Sequence, residues 1–255
     1  MTRPTFADIY DRVIGPDFWE LWWPAFERAV AAHHIRFSTV ADVACGTGET
    51  ALRLAMRGIR VFASDISGDM LRVARAKCAG HTVTLSEQAM ETLAVPEPVD
   101  LLLCCYDSLN MVESPQALVT TLRAFHAAIR PGGHVICDLA TRRHLARDWG
   151  TGEIHAVTGD IDTVWHTAWN ARAGRSTIHL TATVPHAGGV ALVTCRVREW
   201  GFTKAVVDDA IRQAGFIALD VRDMIPWTPG SDAAQRLFYV LRRPGRPHAQ
   251  PENQA

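Results

Sequence analysis

Apolar and polar residues alternate along this chain in two distinct rhythms. A short apolar run from Thr39 to Ala44 enters a glycine turn, the stretch Glu49 to Met56 has helical spacing, and a β-rich run, Val61 to Ala63, follows Gly58. That succession predicts a βαβ unit. The rhythm continues through a helix over Asp69 to Cys78, a strand near Val83 to Leu85, and an apolar run, Leu101 to Cys105, introduced by Val99 and Asp100. A helix from Ser114 to Ile129, the turn Pro131-Gly132-Gly133 and a strand from His134 to Leu139 come next. The central runs are apolar on both faces, as parallel strands covered by helices require.

After Thr141 the period changes. Thr163 to Trp169, Thr177 to Val184 and Val190 to Val197 alternate with period two and are broken at Ala173-Gly174 and Gly188-Gly189, which predicts three antiparallel strands. Helical spacing returns over Thr203 to Ala214, and strand patterns at Ile217 to Arg222 and Leu237 to Leu241 close the sheet. Near the start, Trp19, Trp22, Trp23 and Phe26 recur at helical spacing. The expected fold is therefore α/β: a doubly wound, mostly parallel, seven-stranded Rossmann-like sheet with a small antiparallel β insertion covering the active site. Five segments follow: a helical cover over 1–37, a ligand-binding core over 38–141, the insertion or lid over 142–201, the end of the core over 202–243, and a polar, Pro-rich tail over 244–255 expected to be disordered.

Composition narrows the partners. The 255 residues carry 26 Lys and Arg against 27 Asp and Glu, a formal charge of -1 that offers no footprint for nucleic acid or an anionic membrane. There is no leader pattern and no run of apolar residues long enough to span a bilayer, so the expected location is cytoplasmic. The six cysteines form no C-x-x-C pair and several sit in apolar runs, where they read as reduced thiols, with no metal expected. The expected partner is a small molecule, with a homodimer left open.

The chemistry concentrates at Val40-Ala-Asp-Val-Ala-Cys-Gly-Thr-Gly, a strand running into a Gly-x-Gly turn and then a helix. Gly46 and Gly48 permit backbone conformations closed to other residues and let a ligand lie against the main chain. Asp65 ends the next strand 19 residues after Gly46, where a carboxylate can take a ribose diol. Gly46-x-Gly48-x-x-Ala51 also fits the relaxed dinucleotide fingerprint, so an NAD(P)-dependent oxidoreductase is the rival reading. Asp42 weighs against it. A carboxylate inside a buried strand needs a cation or hydrogen bonds, and an amino-acid ammonium group supplies them where a nicotinamide half does not.

Asp42-Val-Ala-Cys-Gly46-Thr-Gly48 resembles motif I of the class I S-adenosylmethionine-dependent methyltransferases. Asp65-Ile-Ser-Gly-Asp69-Met70 is similar to that family's ribose-binding strand end, Gln88-Ala89-Met90 to its adenine-holding segment, Asp100 to Asn110 to its fourth-strand motif, and Leu122 to Asp138 to its fifth. The resemblance implies S-adenosylmethionine as methyl donor, S-adenosylhomocysteine as product, and donor contacts from Asp42, Ala44, Cys45, Gly46, Gly48, Asp65, Ile66, Met70, Gln88, Ala89, Met90 and Cys105. Ala89 stands where many relatives carry an acid and brings no carboxylate to the adenine amino group. The insertion resembles the branch containing glycine-type and aminosugar N-methyltransferases, and Tyr10-Asp11 looks like that branch's opening pair, whose Tyr lies near the donor. The implied reaction is methyl transfer to nitrogen, or oxygen, of a small polar or heteroaromatic metabolite; a non-catalytic donor-binding module is the other alternative.

Methyl transfer from a sulfonium asks mainly for positioning and exclusion of water. Tyr10, Tyr106, Asn110 and His166 are the candidate catalytic side chains; Trp19, Tyr106, Trp165 and Trp169 are the candidate acceptor contacts. Strand alternation puts His166 on the face opposite Trp165 and Trp169, so the histidine and the tryptophans cannot both face the donor.

Overall fold

The computed structural model describes residues 3–245, and the polar tail from residue 246 onward lies outside the described residues. Two helices open the chain, α1 (Phe6–Val13) and α2 (Gly15–Ala32). Then come β1 (Thr39–Val43), α3 (Glu49–Ala55), β2 (Arg60–Asp65), α4 (Gly68–Lys77), β3 (Val83–Glu87), β4 (Val99–Cys104), α5 (Pro115–Ala128) and β5 (Ile129–Ala140). A four-stranded excursion follows: β6 (Gly152–Thr158), β7 (Ile161–Asn170), β8 (Arg175–His186) and β9 (Gly189–Trp200). The chain closes with α6 (Lys204–Gln213), β10 (Ile217–Asp223), β11 (Thr228–Pro229) and β12 (Arg236–Arg242).

The main sheet runs β11-β10-β12-β5-β4-β1-β2-β3. β1 to β5 are mutually parallel, and β12 pairs antiparallel to both β5 and β10. It has eight strands rather than seven because the two-residue β11 pairs onto the edge of β10. All five β1 positions are buried, as a strand covered on both faces must be. One apolar layer joins the sheet to α5 and α6, the other to α2 and α3. In that second layer Trp22 and Phe26 are fully buried and stack 5.5 Å apart, so the N-terminal aromatic stripe is largely core.

The smaller sheet is antiparallel in the order β6-β7-β8-β9, four strands where three were expected. The extra strand, β6, has six exposed residues out of seven, so no apolar alternation marked it in the sequence. Elsewhere the alternation is clear. Ile161, Thr163 and Thr167 of β7, Ser176, Ile178, Leu180, Ala182 and Val184 of β8, and Ala191, Val193 and Glu199 of β9 are buried while their neighbours are open or half-open. At one end this inner face packs on α1 through Ile9 against Ile161, Ala182, Val184 and Val193.

Candidate active site

The strand order reverses between β1 and β4, and ligands of open α/β sheets sit beyond the carboxyl ends of the strands at such a point. Five residues there hold left-handed backbone: Ala44 (φ 55°), Gly46 (φ 53°) and Gly48 (φ 80°) after β1, Tyr106 (φ 58°) and Asp107 (φ 59°) after β4. A side chain at Gly46 would meet open space, so this turn presents bare backbone to the cleft.

Asp65 braces the turn. Its Oδ2 accepts the Gly46 N–H at 2.8 Å and its Oδ1 accepts the Ser67 N–H at 2.8 Å, and a carboxylate with about four acceptor positions keeps capacity for two more donors. Asp42 is 2% exposed, and its Oδ2 has no hydrogen-bond partner among the described residues. Burial, with the neighbouring Asp65 charge, pushes its carboxyl up to about 7. An orphaned carboxylate oxygen beneath a bare glycine turn fits a ligand carrying an ammonium group, and Asp65 beside it fits a diol. The residues present therefore fit S-adenosylmethionine.

The other expected donor contacts separate into two groups. Ile66 is 72% exposed at the rim of this cleft, while Met70, Cys45 and Met90 are half-buried and Cys105 is buried. The Gln88 side chain is committed to the following loop, its amide bonding Ser86 Oγ and both backbone groups of Ala94, so this position offers main chain instead. Ala89 starts the short 3₁₀ turn that carries Met90.

Beyond β4 lies a buried polar cluster. The Arg236 guanidinium makes a two-pronged contact with Asp107, at 2.6 and 2.7 Å, and a third bond to Asp138. Asp138 Oδ1 also accepts the Tyr106 N–H at 2.8 Å and Trp22 Nε1 at 3.0 Å. Arg236 lies over the Tyr106 ring, 5.3 Å from its centre. A cleft of about 160 Å³ opens here, with Tyr106, Arg236, His144 and Gln235 as its polar wall and Leu21, Met224 and Ile225 as its apolar wall. Tyr10 of α1 reaches the same place: burial raises its hydroxyl pKa, with Tyr106, Asp65 and Asp107 adding to the effect, so it stays protonated. The Tyr106 hydroxyl is raised likewise, by burial first.

Two expected catalytic side chains are elsewhere. Asn110 is fully buried, and its amide bonds Ala140 N, Ala140 O and Trp200 O, tying β5 to β9 and leaving nothing for a substrate. His166 is on the outer face of β7, 56% exposed and paired with Glu153. Trp165 and Trp169 take the inner register, as alternation demands; Trp165 packs on Trp149 and Trp169 lies under the Arg142 guanidinium. Trp19 sits with Trp22 and Trp23 on α2, under Arg53. Unforeseen members of the site are Arg236 and Glu199; His144, which the sequence offers as a candidate base beside His155, His166 and His179, lines the cleft hydrogen-bonded through Nδ1 to Asp148 and through Nε2 to Trp149. One signal existed: Asp138 interrupts an apolar strand as Asp42 does, and so asked for a cationic partner.

Residues 40–133 match the family model described as a methyltransferase domain. The putative methyltransferase YqeM of Bacillus subtilis is 25% identical over 162 residues, covering 63% of this chain and 64% of that protein, so the chain spans a little under two thirds of that relative. A S-adenosylmethionine-dependent methyltransferase structure from Clostridium acetobutylicum superposes with a TM-score of 0.84 at 21% identity, covering 94% of this chain and 98% of that one. The sugar N-methyltransferase KedS8 from Streptoalloteichus superposes with a TM-score of 0.73 at 17% identity, covering 96% and 94%. Residues 40–133 thus match a methyltransferase domain, and the whole chain has the fold of S-adenosylmethionine-dependent methyltransferases. No described helix is long and apolar enough to cross a membrane.

Proposed function

We propose that this chain transfers a methyl group from S-adenosylmethionine to a nitrogen of a small polar metabolite. The observation that carries the donor half is the unpartnered Asp42 oxygen beneath the Gly46 turn, 19 residues before Asp65 counted from that turn. Bound there, the donor supplies an electrophilic methyl on a positively charged sulfur. Asp42 would hold its ammonium end and Asp65 its ribose. Tyr10 and Tyr106, both kept neutral, border the space between the Asp65 cradle and the Arg236 cluster. α1 and the inner face of the small sheet keep water out, and displacement at a sulfonium needs little more than alignment and dryness.

The nitrogen assignment is supported by the acidic lining beyond β4, where Asp107, Asp138 and Glu199 surround one arginine. The sugar N-methyltransferase likeness points the same way. The test is calorimetry with S-adenosylhomocysteine, NAD and NADP, then incubation of metabolite mixtures with donor and mass analysis. S-adenosylhomocysteine alone should bind, and an amine should gain one CH2. Binding of NADP but not S-adenosylhomocysteine would overturn the assignment.

A further inference from the structure

Glu199 has no role in the donor site, yet it is 8% exposed near the end of β9 and has no hydrogen bond or ion pair among the described residues. Its position is set by register. Trp169 pairs with Ser176 and Ser176 with Glu199, so these three form one cross-strand row on the inner face of the small sheet. Ser176 is fully buried, and its hydroxyl too lacks a hydrogen-bond partner among the described residues. A buried, unsatisfied hydroxyl beside a nearly buried carboxyl group is costly unless something polar is meant to lie against the pair. Where the same inner face meets α1, Ile161, Ala182, Val184 and Val193 form an apolar cluster with Ile9.

Glu199 lies within electrostatic reach of Tyr106, Asp107 and Arg236, the groups bordering the space beyond β4. One guanidinium faces three carboxyl groups there: Asp107 and Asp138 are both paired with Arg236, and Glu199 is left without an ion pair among the described residues. Building on methyl transfer to nitrogen, we propose that Glu199, with Ser176 beside it, recognises the amine of a cationic acceptor and takes the proton that must leave before the nitrogen can attack.

In that step the ammonium N–H bond breaks and its proton forms an O–H bond on Glu199. The freed lone pair makes the new N–CH3 bond while the CH3–S bond breaks, its electron pair staying on sulfur. The positive charge passes from donor sulfur to product nitrogen. Burial first, and the Asp107 charge second, hold the Glu199 carboxyl up at about 8 against the opposing pull of Arg236. Facing it are Tyr106 and Asp107 after β4, Asp138 on β5 and Arg236 on β12, with Tyr10 of α1 beyond Tyr106. An acid so placed is close in proton affinity to a hindered amine, which suits an exchange between the two.

The experiment supplies methyl-labelled donor and two pools of small metabolites, one retained on a cation exchanger and one of neutral hydroxyl compounds. It compares wild type, Glu199→Gln and Glu199→Asp, with S-adenosylhomocysteine affinity measured in each by calorimetry. The wild type should label the cationic pool. Glu199→Gln should bind S-adenosylhomocysteine as wild type does but lose at least tenfold in kcat/KM toward the labelled amine and flatten its pH profile, and Glu199→Asp should recover part of both. Full amine labelling by Glu199→Gln with an unchanged pH profile would overturn the role of Glu199 and leave nitrogen methylation standing. Labelling confined to the neutral pool would overturn both.

Discussion

At the scale of single residues, one carboxylate decides how the empty protein behaves. Asp42 is held up at about 7 by burial, with the Asp65 charge adding, whereas an unfolded aspartate titrates near about 4. The folded protein thus holds this proton more tightly than the unfolded chain, so the contribution of Asp42 to stability is full below about pH 4 and is lost as pH rises toward about 7. Thermal melting of the ligand-free protein from pH 4 to 8 should show Asp42→Asn gaining on wild type across that window, and added S-adenosylhomocysteine should reverse the order because the variant binds it at least tenfold more weakly. A constant gap between the two curves would remove the ionised Asp42 from the account.

Asp65 behaves differently because its present bonds are to backbone. Asp65→Ala should lose tenfold to over a hundredfold in donor affinity, the equivalent of about 1.5–3 kcal/mol for hydrogen bonds to a charged acceptor. It should also lower the melting temperature, since the Gly46 and Ser67 N–H groups lose their acceptor. Calorimetry and melting of Asp65→Asn alongside separate the two losses: if donor affinity is unchanged in a folded alanine variant, Asp65 only braces the turn. These two aspartates were legible in the sequence because each interrupts or ends an apolar strand at a fixed distance from a glycine turn. Arg236 and Glu199 were not. Arg236 finds Asp107 across 129 residues of chain, and no local spacing encodes such a meeting.

At the scale of elements, α1 packs on the small sheet through Ile9 and is tied to the donor turn by polar contacts. Asp11 bonds the Thr47 hydroxyl inside the Gly46-Thr47-Gly48 turn and pairs with Lys77 of α4, Asp8 pairs with Arg72 of α4, and Arg12 pairs with Asp160 at the β6–β7 turn. Exposed ion pairs contribute only about 0–1 kcal/mol each and are screened by salt. Release of S-adenosylhomocysteine, followed by stopped flow, should therefore quicken several-fold between low and high ionic strength. Asp11→Asn should already be fast at low salt. Release insensitive to both would mean that α1 does not open for exchange. The helices and strands of the main sheet were largely legible because each alternates cleanly or is apolar throughout. What escaped was β6, exposed on nearly every residue, and the two-residue β11, whose existence depends on the neighbour it pairs with.

At the scale of the whole molecule, the two sheets divide the labour proposed for the site: the parallel sheet carries the donor contacts at its carboxyl edge, and the antiparallel sheet turns one face toward them. Strand alternation requires that Trp165 and Trp169 share a face and that His166 takes the other, but not which face points inward, because that depends on what the sheet packs against. The structure resolves it through burial: Thr163 and Thr167, in register with the tryptophans, are buried, while His166 is open and bonded to Glu153 on the outer face. Trp169 then shares its row with Ser176 and Glu199, next to the proposed acceptor space, and Trp165 sits further along against Trp149. Replacing Trp169 by Ala should therefore cut acceptor kcat/KM at least tenfold, His166→Ala should leave turnover within twofold of wild type, and both should bind S-adenosylhomocysteine normally, since neither touches the Asp42 and Asp65 cradle. The measurement is turnover of the amine acceptor beside calorimetry of the product. Large and equal losses of product binding in both variants would make the small sheet a structural part of the donor fold and refute its assignment to the acceptor.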